Sequence, residues 1–147
     1  VRAIKSKDLE RHDVRISVIG DWRKKFPVGL VRLCEQAIES TKHRHRHVLN
    51  LLLAYDGKSE MVDAIRKARA SKKDPESIKE FLWTRDLPPV DLVVRTGGDP
   101  HLSAGFMMWD VADAQLSFSK KLWPDYLPAD FESAVGDFLK RERRYGA

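Results

Sequence analysis

An arginine that ends a buried strand, followed by two glycines and then polar residues, is a local composition suited to holding a phosphate. One stretch of this sequence has it: Val93-Val94-Arg95-Thr96-Gly97-Gly98-Asp99-Pro100-His101-Leu102-Ser103. In open α/β sheets, ligands bind beyond the carboxyl ends of the strands. Arg95 can clamp a phosphate through two parallel N–H···O bonds. Gly97 and Gly98 let the backbone approach a ligand closely, and their N–H groups could form an anion nest. The plainer reading of the same residues is a tight Gly-Gly turn with Arg95 in solvent.

Other chemistry-bearing residues are weaker. His43, His45 and His47 alternate and could share one face of a strand around a metal. They stand among Lys42, Arg44 and Arg46, which repel a cation, so a solvated basic segment is expected. That segment has no interleaved aromatic residue to stack bases, and nucleic acid is not the expected ligand. Asp99 and Asp110 have no partner carboxylate at a spacing that suits acid–base work. The single cysteine, Cys34, lies in an apolar stripe and is expected to be an inert core thiol. Trp109, Phe118, Trp123 and Tyr126 gather near the phosphate stretch and are expected to pack in the core or in a dimer.

The elements that must position these residues follow from periodicity. Residues 1–12 predict a charged helix. Val14, Ile16, Val18 and Ile19 predict a strand ending at Gly20, followed by a loop over 21–27. Pro27 opens a helix with the stripe Leu30, Leu33, Cys34, Ala37 and Ile38. Residues 48–54 form a nearly continuous apolar run, as in a strand covered on both faces. Tyr55-Asp56-Gly57 is a turn, and Met61, Ala64, Ile65 and Ala68 mark another helix. Asp74-Pro75 starts a short helix that runs to Trp83. Residues 90–95 form a third strand, 107–114 a short helix, and Leu116 with Phe118 a fourth strand. Pro128 opens the last helix, with Phe131, Ala134, Val135, Phe138 and Leu139 facing the core.

Helices alternating with buried strands imply an α/β fold, a mostly parallel twisted sheet flanked by helices on both faces. No repeat or low-complexity linker interrupts residues 1–147, so one α/β domain is expected. The chain has 147 residues, of which 42% are hydrophobic and 33% charged, with 27 Lys and Arg against 22 Asp and Glu. This composition is that of a globular chain with a modest preference for anions. No apolar run approaches the ~20 residues of a membrane span. With one cysteine and no signal-peptide pattern, a cytoplasmic location is expected.

Taken together, Asp91-Leu-Val-Val-Arg95-Thr-Gly-Gly-Asp99, Leu102-Ser103, Trp109, Leu122-Trp123-Pro124-Asp125, Asp130-Phe131 and Arg141-Glu-Arg-Arg144-Tyr-Gly146 resemble the C-terminal half of undecaprenyl diphosphate synthases and related cis-prenyltransferases. Order and spacing match from Asp91 to Gly146. Arg11-His12-Asp13-Val14-Arg15, Ile19-Gly20-Asp21, Leu49-Asn50 and Tyr55-Asp56-Gly57 match more loosely. The resemblance implies a dimeric enzyme that condenses isopentenyl diphosphate onto an allylic diphosphate with cis geometry, using Mg²⁺ in the complete enzyme. It implies that Arg95 and Ser103, with the Gly97-Gly98 backbone and His101, hold isopentenyl diphosphate. Arg144 and Gly146 would reach the same diphosphate in the neighbouring subunit of a homodimer. The lipid product implies peripheral association with a membrane.

Three positions depart from the family pattern. His101 stands where a second phosphate-binding arginine is usual, and an imidazole cannot make a guanidinium fork. Gln115 stands at the metal-linked position usually held by glutamate, offering a neutral carbonyl oxygen. The Ala104-Gly105 stretch is one residue longer than usual. The family's Asp-Gly-Asn-x-Arg-Trp motif, which carries the catalytic aspartate, is not among these residues. The N-terminal part of the fold is therefore expected to lie outside them, leaving no catalytic residue to assign here. The alternative implied by Gln115 and His101 is a non-catalytic partner subunit of a heteromeric cis-prenyltransferase.

Overall fold

The computed structural model describes residues 7–71 and 75–141, and its internal contacts divide the chain into two units, Val1–Arg85 and Asp86–Ala147. The first unit holds α1 (Lys7–Arg11), β1 (Val14–Ile19), α2 (Trp22–Lys25), α3 (Val28–Thr41), β2 (His47–Leu52), α4 (Gly57–Ser71) and a 3₁₀ segment, Pro75–Phe81. The second holds β3 (Leu92–Arg95), β4 (Gln115–Phe118), two short 3₁₀ turns and α5 (Pro128–Lys140). Both strand pairs are parallel, and each therefore needs a crossover connection.

In the first unit, β1 pairs with β2 from Val14↔His47 to Ile19↔Leu52. Two polar ties fix that register. The Asp13 carboxylate accepts the backbone N–H groups of His45 (3.0 Å) and Arg46 (2.9 Å), and these bonds hold its pKa below the usual aspartate range. The hydroxyl of Thr41, 2% exposed at the end of α3, accepts the N–H of Ile16 at 2.9 Å and donates to the Ala37 carbonyl at 2.8 Å. Helix and strand are thereby joined by one side chain. Ile16, Ile19, Trp22, Cys34, Ala37, Ala64, Ala68 and Leu82 are buried here, and full burial of a side chain such as Leu82 contributes about 1.5–3 kcal/mol.

The α4 helix is anchored by acids rather than by its apolar stripe alone. Buried Glu60 accepts the hydroxyl of Tyr55 and the N–H of Thr84 (2.9 Å). Asp63 accepts the Trp83 indole N–H at 2.7 Å and pairs with Lys67 at 2.7 Å. Lys67 first, and then Trp83, lower the Asp63 pKa.

Several local expectations are corrected. The loop over 21–27 contains a turn of helix, α2, because Trp22 buries its ring and donates its indole N–H to Val18. The β2 strand is not covered on both faces: none of its residues is buried, and Val48 and Leu49 are 43% and 40% exposed. Among the described residues it pairs with β1 alone. Residues 107–114 form successive turns, not a helix. Gly105 and Met107 have φ of 57° and 44°, which stops a right-handed helix from starting. The burial of Met107, Asp110 and Val111 nevertheless keeps helix-like spacing, which is why the stretch reads as one. In α5 only Ala134 is buried, and Phe131, expected in the core, is 53% exposed. The described part of the first predicted helix is α1, and Asp74 lies outside the described residues.

Gly20 closes the β1 strand with φ of 117°, and a Cβ there would lie 2.3 Å from the Leu53 carbonyl oxygen. Replacing it with alanine should therefore destabilise the chain by at least about 2 kcal/mol, combining backbone strain and overlap. Urea denaturation of Gly20→Ala against the parent chain measures this, and Gly29→Ala, where a Cβ meets nothing within 4 Å, is the control.

Candidate diphosphate site

The β3–β4 pair positions the site. Leu92↔Gln115 and Arg95↔Phe118 are its first and last rungs, so Arg95 leaves the carboxyl end of β3 beside the carboxyl end of β4. The chain then turns through Gly97 and Gly98, with φ of 97° and 89°, values that side-chain-bearing residues rarely adopt.

The Arg95 guanidinium faces back onto its own loop. Its Nε donates to the Asp99 carbonyl at 2.8 Å and its Nη1 to the Ser103 hydroxyl at 2.8 Å. Its Nη2 lies 3.4 Å from His101 Nε2. Guanidinium has no acceptor, so this last contact is a hydrogen bond only when Nε2 carries no proton. Arg95 is half-buried, and Asp99, His101 and Ser103 are exposed. A cavity of about 280 Å³ lined by Arg95, Thr96, Ser103 and apolar Val93, Val94, Leu102 and Phe106 opens beside them. Arg95, His101 and Ser103 thus come together, as the sequence analysis expected.

The glycines play a different part from the one expected. Their N–H groups do not form an open anion nest, because Gly97 donates to the Lys121 carbonyl at 2.8 Å and Gly98 to the Ser119 carbonyl at 3.0 Å. Ser119 N–H in turn bonds the Arg95 carbonyl at 2.8 Å. The glycines shape the turn and lock it to the residues after β4. Sequence reasoning missed Ser119 and Lys121. The available signal was positional: in a parallel pair, the residues that follow β4 stand at the same end as Arg95.

Gln115 is not brought to this cluster. It pairs with Leu92 at the opposite end of β4, roughly 10 Å along the strand from the Arg95 rung. Its Oε1 is buried and accepts no hydrogen bond. One neutral oxygen is a poor ligand for Mg²⁺, which is held through carboxylates and substrate phosphates, and no group of three His, Cys, Asp or Glu side chains converges among the described residues. The described residues do not by themselves fit a Mg²⁺ site. Arg144 and Gly146 lie outside the described residues.

A larger cavity, about 680 Å³, lies in the first unit between Asp21, Lys24, Lys58, Asp63, Arg66 and Trp83. Its size does not make it the better site, since both of its carboxylates are engaged by lysines and no arginine fork is preset there. His43, His45 and His47 are exposed. Cys34 is buried, and Trp109, Phe118 and Trp123 are 47%, 41% and 75% exposed.

Residues 1–146 match the family model described as "Putative undecaprenyl diphosphate synthase". The chain is 38% identical over 148 residues to an isoprenyl transferase of Zymomonas mobilis, an alignment that covers 95% of this chain and 59% of that protein. It is 36% identical over 149 residues to a ditrans,polycis-undecaprenyl-diphosphate synthase of Salmonella paratyphi A, covering 95% and 58%. The lavandulyl diphosphate synthase of Lavandula x intermedia, solved with dimethylallyl diphosphate, shares the fold with a TM-score of 0.90 at 25% identity, over 99% of this chain and 66% of that one. The fold and these matches make the chain a member of the cis-prenyltransferase family of undecaprenyl diphosphate synthases. It spans about three-fifths of the length of the curated relatives it matches.

One carboxylate beside the site has a testable titration. Lys121 Nζ contacts Asp130 Oδ1 and Oδ2 at 2.7 and 2.8 Å, and the Leu127 N–H bonds Oδ2 at 2.9 Å. The lysine first, and the N–H second, lower the Asp130 pKa. A depressed carboxylate stabilises the fold above its unfolded pKa, and this contribution is lost as pH falls through the folded value. The Asp130 carboxyl carbon followed by NMR should therefore titrate below the ordinary aspartate range. Lys121→Met should move that midpoint up, but not fully, because the Leu127 N–H remains.

Proposed function

We propose that this chain is the part of a cis-prenyltransferase that holds isopentenyl diphosphate during chain elongation on an allylic diphosphate. The observation that carries this reading is Arg95 preset on Ser103 at the carboxyl end of a parallel strand, beside a small apolar-walled cavity. Two guanidinium N–H groups and a hydroxyl suit diphosphate oxygens, and the apolar wall suits a five-carbon chain. Relatives named as isoprenyl transferase and undecaprenyl diphosphate synthase support the same substrate class.

In this reading Arg95 and Ser103 hold the terminal phosphate and His101 adds a contact from the same loop. The Gly97-Gly98 turn keeps the loop closed behind them. Arg144 and Gly146 of a neighbouring copy complete the cradle. Fixing the diphosphate orients the isopentenyl double bond toward the allylic carbon, where a C–C bond forms as the allylic C–O bond breaks and a proton is lost. No step assigned to these residues runs through Mg²⁺. With no Asp-Gly-Asn-x-Arg-Trp motif within the 147 residues, the chain by itself holds substrate without turning it over. All of these residues belong to one α/β domain in this reading.

Calorimetric titration with isopentenyl diphosphate tests it. Binding should be measurable, and Arg95→Lys should weaken it by about 1.5–3 kcal/mol, on the order of tenfold to a hundredfold, through loss of the fork. Farnesyl diphosphate with labelled isopentenyl diphosphate should give no protein-dependent product from this chain alone. Undiminished binding by Arg95→Lys would remove Arg95 from the site.

A second reading, a non-catalytic partner subunit, is favoured by Gln115, whose neutral oxygen stands where the family's metal-linked carboxylate is expected. Both readings need an interface. Leu116 and Phe118 of β4, Leu122, Trp123, Leu127 and Phe131 are 39–75% exposed, more apolar surface than isolated exposed residues explain, and we assign it to a second copy of the chain. Sedimentation should give a dimer of the 16.9 kDa chain, and Phe118→Glu should shift it to monomer. A monomer at high concentration in the parent chain argues against this face. No helix among the described residues is long and apolar enough to cross a membrane, and contact with the lipid product would be peripheral.

A further inference from the structure

We propose that Lys121 and Asp130 are a positioning pair that sets the geometry of the Arg95 loop, an inference that rests on the diphosphate reading above. Lys121 faces two ways. Its carbonyl accepts the Gly97 N–H at 2.8 Å, and its ammonium grips both oxygens of Asp130 at 2.7 and 2.8 Å. Asp130 sits in the first turn of α5 and also accepts the Leu127 N–H that starts the helix.

The path from helix to guanidinium is continuous. Asp130 holds the Lys121 side chain and the Lys121 carbonyl holds Gly97. Two residues earlier in the turn, the Ser119 carbonyl accepts the Gly98 N–H and its own N–H donates to the Arg95 carbonyl. The Lys121 N–H returns to the Ser119 hydroxyl at 3.2 Å, so residues 119–121 act as one clamp. From Arg95 the path ends on Ser103.

The clamp needs an external tie because little else holds it. Residues 120–125 are all exposed, and their regular structure is one 3₁₀ turn, Trp123–Asp125. Strand pairing ends at Phe118. The ion pair is a direct side-chain tie between this segment and α5. The Asp130 side chain is 27% exposed and the Lys121 side chain 49%, so the pair adds little global stability. What it restricts is the freedom of residues 119–121, and with them the turn that carries Arg95.

Lys121→Met cuts the tie while leaving the Leu127 cap on Asp130, and Lys121→Arg keeps it. Two readouts separate the positioning claim from the ligand claim. Amide hydrogen exchange at Gly97 and Gly98 needs no ligand. It should quicken about twofold to fivefold in Lys121→Met, with the melting temperature nearly unchanged, and return toward the parent rate in Lys121→Arg. Isopentenyl diphosphate affinity should fall by a similar factor in Lys121→Met and recover in Lys121→Arg. Unchanged exchange in Lys121→Met overturns the positioning role. Quickened exchange in a parent chain that binds no isopentenyl diphosphate supports the clamp and overturns the diphosphate reading instead. Quickened exchange with unchanged affinity overturns the claim that the clamp serves the site.

Discussion

A guanidinium has five N–H donors, no acceptor and a charge it cannot shed, and the second unit is organised around where Arg95 puts those donors. Its partners are an Asp99 carbonyl, a Ser103 hydroxyl and the edge of His101, all from the loop that Arg95 itself begins. For these to converge, the chain must reverse within a few residues. That reversal requires the positive φ of Gly97 and Gly98. The reversal is then held because their N–H groups bond the carbonyls of Lys121 and Ser119. An open anion nest and a locked turn are competing uses of the same two donors, and this chain uses them to lock the turn.

Parallel pairing makes the arrangement tighter. Two parallel neighbours need a crossover connection, usually a helix, as α3 supplies between β1 and β2. Between β3 and β4 no α-helix does this work. The crossover is the Arg95 loop itself, followed by the turns over 107–114, whose Asp110 carbonyl accepts the Val90 N–H at 2.8 Å. The residues that hold the Arg95 guanidinium are therefore also those that return the chain to the sheet. Ala104, with φ of 51°, shows the local cost, since a left-handed alanine is disfavoured by about 1–2 kcal/mol. Gly105, with φ of 57°, follows it, so two consecutive residues here are left-handed.

What was legible in the sequence was what local chemistry decides. Val14–Ile19 alternates and is a strand, the stripe from Leu30 to Ile38 is a helix, and Pro128 begins α5 because its fixed φ suits a first turn. Arg95 was legible as a cation at the end of a buried strand before two glycines, whereas Ser103 and His101 were named from the family resemblance and not from local pattern. What was not legible depends on residues distant in the chain. The apolar run of β2 is that of a covered strand, yet Val48 and Leu49 stay exposed because burial requires a neighbour, and β1 is the only described strand beside it. Phe131 keeps core spacing while α5 buries only Ala134. The part played by Lys121 is set by the register Arg95↔Phe118, which no local pattern encodes.

The same loop gives a physical reason for an imidazole at 101, where the family resemblance implies an arginine. His101 Nε2 lies 3.4 Å from the Arg95 guanidinium. A guanidinium in place of that imidazole would set two permanent cations side by side around two neutral acceptors. Their repulsion at such a separation is on the order of 1 kcal/mol in water and 4 kcal/mol near a protein surface. A loop with two arginines would have to hold them apart until an anion arrived, so part of its binding energy would go into closing. An imidazole without a proton on Nε2 can instead accept from Arg95, and the closed loop is compatible with an empty cradle. The exchange trades charge for preorganisation. Under the proposed function it weakens the field at the diphosphate while letting Arg95 and Ser103 stand in place beforehand. Gln115 lies outside this trade, a strand length away with an unpaired oxygen. Under the proposed function the two residues therefore bear on separate tasks: His101 on how an anion is gripped, and Gln115 on the ligand available to a cation.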